Sequence, residues 1–208
     1  FPLATIAALI AAGLWVMTAT TLGLPVSTTQ SVVGAVVGAG LLLGYTQRGV
    51  ATVRLGMLSP IVISWLLNPI VAAILAFALY KVFSPPLRRI KNIVSLNRTL
   101  VILVIVAIAS SAYTLGANDV GASTGAVYAS LGGRGLNFEF MRLIGLLGGV
   151  ALAVGALTYS HKVMQTVGTG ITRLDALTAS AAQLGAAITV WSFVQFGIPV
   201  STAQATVG

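Results

Sequence analysis

The sequence predicts an all-α fold, a polytopic transmembrane helical bundle whose helices are broken inside the membrane. Three observations predict it. First, 57% of the 208 residues are hydrophobic and 7% are charged, whereas an ordinary soluble domain carries about 25% charge. So few charges cannot cover a core of that size, and the solvent must be lipid. Second, six apolar runs are long enough to cross a bilayer or nearly so. Third, the phrase PVSTTQSVVG at 25–34 returns as PVSTAQATVG at 199–208, identical at seven of ten positions, each time behind a Gly-x-Pro interruption of an apolar run.

The runs follow in order. Residues 3–22 form the first, interrupted by Gly23 and Pro25. Residues 26–44 continue it, with Gly34, Gly38, Gly40 and Gly44 spaced as small-xxx-small pairs that let helices approach closely. A polar patch at 45–54 precedes the third run, 55–83, whose Pro60 and Asn68-Pro69 are expected to kink it. Residues 99–115 are the fourth run; it is expected to break at GANDVGASTG (116–125) and to resume as far as Leu131. A loop with Arg134, Glu139 and Arg142 leads to the fifth run, 143–159. A polar link at 160–175 leads to the sixth, 176–196, which Gly197 and Pro199 interrupt.

Charge sets the orientation. The net charge is +8, but five of the eleven basic residues fall in one segment, 81–98, between two apolar runs. That pattern is a membrane flank rather than a nucleic-acid surface, and it places the segment in the cytoplasm. The chain then divides into residues 1–80, the C-terminal part of a first transmembrane repeat; 81–98, a basic cytoplasmic linker; and 99–208, a second repeat truncated at its end. Cysteine is absent, which excludes disulfides and thiolate metal sites. The chain starts and stops inside apolar sequence, so it is expected to be a fragment. Motif spacing puts a further GAND copy roughly 58 residues before Phe1, if both repeats share one length.

The interruptions suggest chemistry. Backbone freed inside a membrane survives only where it lines a cavity or site. Pro25 and Pro199 suit a first helical turn. Ser27, Thr28, Ser201 and Thr202 add hydroxyls to the free N–H groups of a helix start, which together favour an anion. The alternative is plain capping of helix ends by Ser27, Thr28, Ser201 and Thr202. Asp119 is one of three acidic residues and sits at the end of an apolar run. A carboxylate at membrane depth is costly and marks function. With Asn118 it offers oxygen ligands for a hard cation such as Na⁺; its alternative role is an N-cap. An anion beside Asp119 would be repelled unless a cation came with it, which is the electrostatic basis of symport.

Other patterns are weaker. GGRG (132–135) and GTG (168–170) lack the strand and Lys-Ser/Thr context of a phosphate-gripping loop. His161 is the single histidine, so no histidine cluster exists. No base stands at helical spacing from Ser27 or Ser201 to make a nucleophile. Trp15, Trp65 and Trp191 read as packing or interface residues.

GANDVGAS resembles the GANDVANA-type signature of the inorganic phosphate transporter (PiT) family. The two Pro-Val-Ser-Thr phrases are similar to the phrase that family carries once per repeat, and KVMQTVGTGIT (162–172) is similar to a stretch between its motifs. The resemblance implies two inverted repeats with broken or re-entrant half-helices, commonly in a homodimer. It implies phosphate binding by Ser27, Thr28, Thr29, Ser201, Thr202, Asn118 and Asp119. Cation binding would fall to Asn118, Asp119 and Ser123, with a candidate Na⁺ site at Asp119. The departures are Gln30 and Gln204 where the family usually has His, Ala203 where the first phrase has Thr29, and Ser123 in place of a commoner Asn.

The expected function is therefore import of inorganic phosphate by Na⁺ or H⁺ symport, without a cofactor beyond the coupling ion. The expected setting is multi-pass, in the cell membrane, with phosphate, cation and lipid as partners and no nucleic acid. A sulfate or other oxyanion permease of the same family is the nearest alternative. An intramembrane hydrolase and a passive channel are the alternatives from other classes.

Overall fold

The computed structural model describes residues 2–46, 53, 55–131, 137–171 and 174–207. Among the described residues nine α-helices follow in order. They are α1 (Pro2–Thr21), α2 (Thr28–Thr46), α3 (Leu55–Arg88), α4 (Ile93–Leu115), α5 (Gly121–Ser130), α6 (Phe138–Tyr159), α7 (His161–Gln165), α8 (Ala176–Gln195) and α9 (Thr202–Val207). Two π-helical turns, Gly116–Val120 and Thr166–Ile171, join α4 to α5 and extend α7. Six stretches among the described residues are long and apolar enough to cross a membrane: Pro2–Thr21, Thr28–Thr46, Leu58–Arg88, Ile93–Ser130, Phe138–Tyr159 and Ala176–Gln195. They correspond to the six apolar runs, and the described residues contain no strand.

The lateral surface is apolar. Leu14, Phe77, Ile108, Leu147 and Leu157 stand exposed on four different helices, and α6 buries no residue at all. The buried core is built from small residues: Ala72, Ala186, Val190, Val200 and Ala205, with Phe193, Val194 and Ile198 against it. This inversion suits lipid, where helices associate through close packing of small side chains and not through exclusion of water.

α8 is the centre of the bundle, packed between α3 and α4. Its buried face reads Ser180, Ala181, Gly185, Ala186, Ala187, Thr189 and Val190. A Cβ on Gly185 would sit 2.6 Å from the backbone nitrogen of Ala76 on α3. Only glycine allows the two backbones so close. At the start of α8, Asp175 accepts the N–H of Thr178 at 2.7 Å. The hydroxyl and N–H of Thr178 hold the Asp175 carboxyl below its ordinary range.

Several local expectations change. The helix does not break at GAND. It runs on through a π turn and stays helical to Ser130. The third run keeps its prolines inside a single helix, as its reading as a kinked helix requires: α3 continues through Pro60, Pro69, Pro85 and Pro86 to Arg88. The basic segment 81–98 is thus mostly helical: α3 ends in it, and α4 begins in it at Ile93 with Asn92 as its cap. The polar link at 160–175 is largely α7 and the second π turn. GGRG and most of the polar patch at 45–54 lie outside the described residues.

Candidate functional site

The two interruptions are real, and they match in backbone detail. After α1 the chain turns at Gly23, with φ of +73°, and after α8 at Gly197, with φ of +68°. Both are left-handed conformations that glycine adopts without steric cost. Both turns end helices, with Leu24 N–H returning to the Ala19 carbonyl and Ile198 N–H to the Phe193 carbonyl. Each then restarts a helix on its serine. Ser27 Oγ accepts the N–H of Gln30 at 3.1 Å, and Ser201 Oγ accepts the N–H of Gln204 at 3.0 Å. The serines are N-caps, each satisfying one orphan N–H.

The threonines do something else. Thr28 and Thr29 donate their hydroxyls to Asp119 Oδ1 at 2.7 and 2.8 Å. From the other phrase, Thr202 donates to Asp119 Oδ2 at 3.2 Å. Asn118 Nδ2 adds a contact to Asp119 Oδ1 at 3.2 Å. Asp119 therefore caps no helix: it is 6% exposed and joins the two phrases. The π turn matters here because its wider coil carries consecutive residues, Asn118 and Asp119, to buried positions side by side.

Asn118 holds the second interruption. Its Nδ2 donates to the Val200 carbonyl at 2.7 Å and to Thr29 Oγ1 at 3.0 Å, while its Oδ1 accepts the N–H of Val200 at 3.3 Å. Backbone groups released by the break thus find side-chain partners, as a dry environment demands. Asn68 acts from α3 in the same way: it is fully buried, and its Nδ2 donates to the Ser201 carbonyl at 2.7 Å. Its Oδ1 has no partner within the described residues.

The phrases also meet on their far side, where Gln30 Nε2 donates to Gln204 Oε1 at 3.0 Å. A cavity of about 620 Å³ lies there, lined by Trp15, Pro25, Ser27, Gln30, Pro69 and Gln204, among others. Below the first break, Lys162 of α7 donates to the Thr21 carbonyl at 3.0 Å, covering the end of α1.

Of the residues expected from sequence, Thr28, Thr29, Thr202, Asn118 and Asp119 come together in one hydrogen-bonded cluster. Ser27 and Ser201 adjoin it as caps. Ser27 also lines the cavity, whereas Ser201 is wholly buried. Ser123 lines a mostly apolar cavity beside Thr28, Thr124 and Leu147. Asn68 and the Gln30–Gln204 bond were not anticipated. An amide at the middle of an apolar run is a signal for Asn68, masked by its neighbour Pro69, which by itself accounts for the Asn-Pro pair as a kink. No group of three or more His, Cys, Asp or Glu forms among the described residues. The cluster is one carboxylate among hydroxyls and amides, a hard, all-oxygen set unlike a transition-metal site.

Comparison with known proteins gives the family. The model of the phosphate transporter family matches residues 1–95 and 87–208. A chain from Thermococcus kodakarensis described as "Putative phosphate permease" is 29% identical, over 98% of this chain and 67% of its own length. A Pyrococcus abyssi chain with the same description is 30% identical over 98% of this chain and 67% of its own length. This chain therefore spans about two thirds of the length of these relatives. The solved structure titled "The sodium-dependent phosphate transporter" superimposes with a TM-score of 0.81 at 23% identity, covering 98% of this chain and 68% of that one. With its six membrane-crossing stretches and a family match along its whole length, the chain belongs to the phosphate transporter family, as a multi-pass integral membrane protein that is a transporter and not an enzyme.

Proposed function

We propose that the protein imports inorganic phosphate by symport with a monovalent cation, Na⁺ or H⁺. The observation that carries this reading is the convergence of both Pro-Val-Ser-Thr phrases on Asp119, through Thr28 and Thr29 from one side and Thr202 from the other. Three hydroxyls now aim their protons at the carboxylate. A hydroxyl oxygen is also an acceptor, and the group rotates. A cation at Asp119 would turn those protons outward and be held by the carboxylate and hydroxyl oxygens together. The same rotation would offer O–H donors to an anion next to the cluster.

Electrostatics then couples the two. At an effective dielectric near 20, a bare Asp119 would repel an anion by about 4 kcal/mol per unit charge at about 4 Å and by about half of that at twice the distance, so the repulsion reaches across the phrases to the cavity. A bound cation cancels most of it. Phosphate is favoured by the cavity beside the Gln30 and Gln204 side chains, which is polar where the phrases meet. The relatives' descriptions name phosphate, and the structural neighbour's title names sodium. The fuller reading includes a homodimer in the plasma membrane, the coupling ion as sole accessory and the 81–98 segment on the cytoplasmic side.

The test is phosphate uptake into proteoliposomes with imposed Na⁺ or H⁺ gradients. Uptake above equilibrium under one gradient, lost when it is collapsed, is the expected result. Phosphate flux indifferent to both gradients would mean a passive channel instead. Sulfate uptake that phosphate does not inhibit would identify the sulfate permease.

A further inference from the structure

The cavity between the phrases contains the Gln30–Gln204 bond, which joins residues 174 positions apart in sequence. An amide head carries two N–H donors and a carbonyl with two lone pairs. One bond between two heads consumes one donor and one acceptor. With Gln30 as donor, the Gln30 carbonyl and the Gln204 NH₂ stay available; turning both amides over exchanges these roles and leaves the same count. Neither available group has a protein partner among the described residues. The Ser27 hydroxyl, whose oxygen takes the Gln30 N–H, lines the same cavity and keeps its proton for a ligand. No charged side chain lines the cavity among the described residues.

A ligand seated against this pair meets a donor and an acceptor at once. Sulfate has oxygens that accept and nothing that donates. Against the free carbonyl it would place lone pair on lone pair and leave a polar group unpaired. Hydrogen phosphate has both: oxygens for the amide N–H, and a P–O–H that donates to the carbonyl. Sites built to hydrogen-bond a ligand's hydroxyl reject analogues that lack it by large factors. Asp119 cannot serve as this acceptor in the present arrangement. Its Oδ1 already takes three donors and its Oδ2 one, and it does not line the cavity.

The geometry points to the Gln30–Gln204 pair as the specificity element that reads the proton of hydrogen phosphate and rejects oxyanions without one. This rests on the proposed reading of the protein as a phosphate carrier. The pair touches substrate but takes no part in cation binding, so its contribution falls on anion choice and not on coupling.

The experiment is competition for radiolabelled phosphate binding to the purified transporter, with sulfate and with monofluorophosphate as competitors. Monofluorophosphate keeps the size and the double negative charge but carries P–F in place of P–O–H. The wild-type protein should bind it as weakly as sulfate, on the order of a hundredfold below phosphate. Gln30→Met and Gln204→Met should each narrow the ratio of phosphate to sulfate about tenfold, chiefly by weakening phosphate, with the dependence of binding on cation unchanged. Wild-type protein that binds monofluorophosphate as tightly as phosphate overturns the inference without recourse to any variant. So do folded variants with an unaltered ratio. In both cases the phosphate reading stands; wild-type protein that binds no phosphate removes that reading and the inference with it.

Discussion

Asp119 takes four hydrogen bonds from three separate stretches of chain while 6% exposed. Charge-assisted bonds of this kind contribute about 1.5–3 kcal/mol each when buried. Asp119→Asn keeps the volume and removes the charge. Coupled phosphate uptake should fall at least tenfold, while the protein still inserts and elutes as a single species; normal transport by this variant would return Asp119 to a structural role. The threonines supply a second test. Thr28→Val and Thr202→Val replace a hydroxyl by a methyl of similar size, one in each phrase. Because both bond one carboxylate, their effects on cation-dependent phosphate binding should be non-additive by roughly 0.5–3 kcal/mol, whereas independent caps would add. Binding titrations of the wild type, both single variants and the double variant measure that term.

At the scale of elements, the contact between α3 and α8 depends on Gly185. A methyl there would meet the nitrogen and Cα of Ala76 at 2.6 and 2.9 Å, both backbone atoms that no rotamer change can move. Gly185→Ala should therefore lower the melting temperature in detergent, at an overpacking cost of about 1–3 kcal/mol. An unchanged melt would mean that the helices separate freely. The same scale shows what the sequence discloses. Six apolar runs mark six membrane-crossing stretches, since length and polarity suffice in lipid. Gly23-x-Pro25 and Gly197-x-Pro199 mark the breaks, because glycine and proline act locally on the backbone. GANDVGAS reads as a break for the same reason, yet remains helical. Its Asn and Asp bond to other segments and do not compete for their own backbone, a tertiary fact that no local pattern holds. The role of Asn68 was hidden for a related reason: its partner, Ser201, lies 133 residues away.

For the molecule as a whole, orientation follows from charge. Lys81, Arg88, Arg89, Lys91 and Arg98 cluster about the short connection between α3 and α4. By the positive-inside rule this end is expected to face the cytoplasm. A cysteine introduced at Ser95 into the naturally cysteine-free chain should stay unlabelled by an impermeant thiol reagent added to intact cells, and react once they are opened. Ready labelling from outside would invert the orientation. The π turn at Gly116–Val120 has a further consequence, for how the chain tolerates loss of length. An α-helix advances about 100° per residue, so deleting one residue from regular helix rotates everything beyond it away from its neighbours. A π turn is a loop of surplus backbone wound into the helix. Deleting Ala117 can be absorbed by tightening that turn to ordinary α geometry, with α4 and α5 still presenting the same faces. Such a shortened protein should fold and melt much as before while losing phosphate binding, because Asn118 and Asp119 no longer reach Val200 and the threonines. Deleting Ala107, buried in the regular part of α4, should prevent folding altogether. Comparing the two deletions by melting and by phosphate binding would show whether the surplus residue is kept for the site alone, a place where the chain can shed a residue and keep its architecture while forfeiting its purpose.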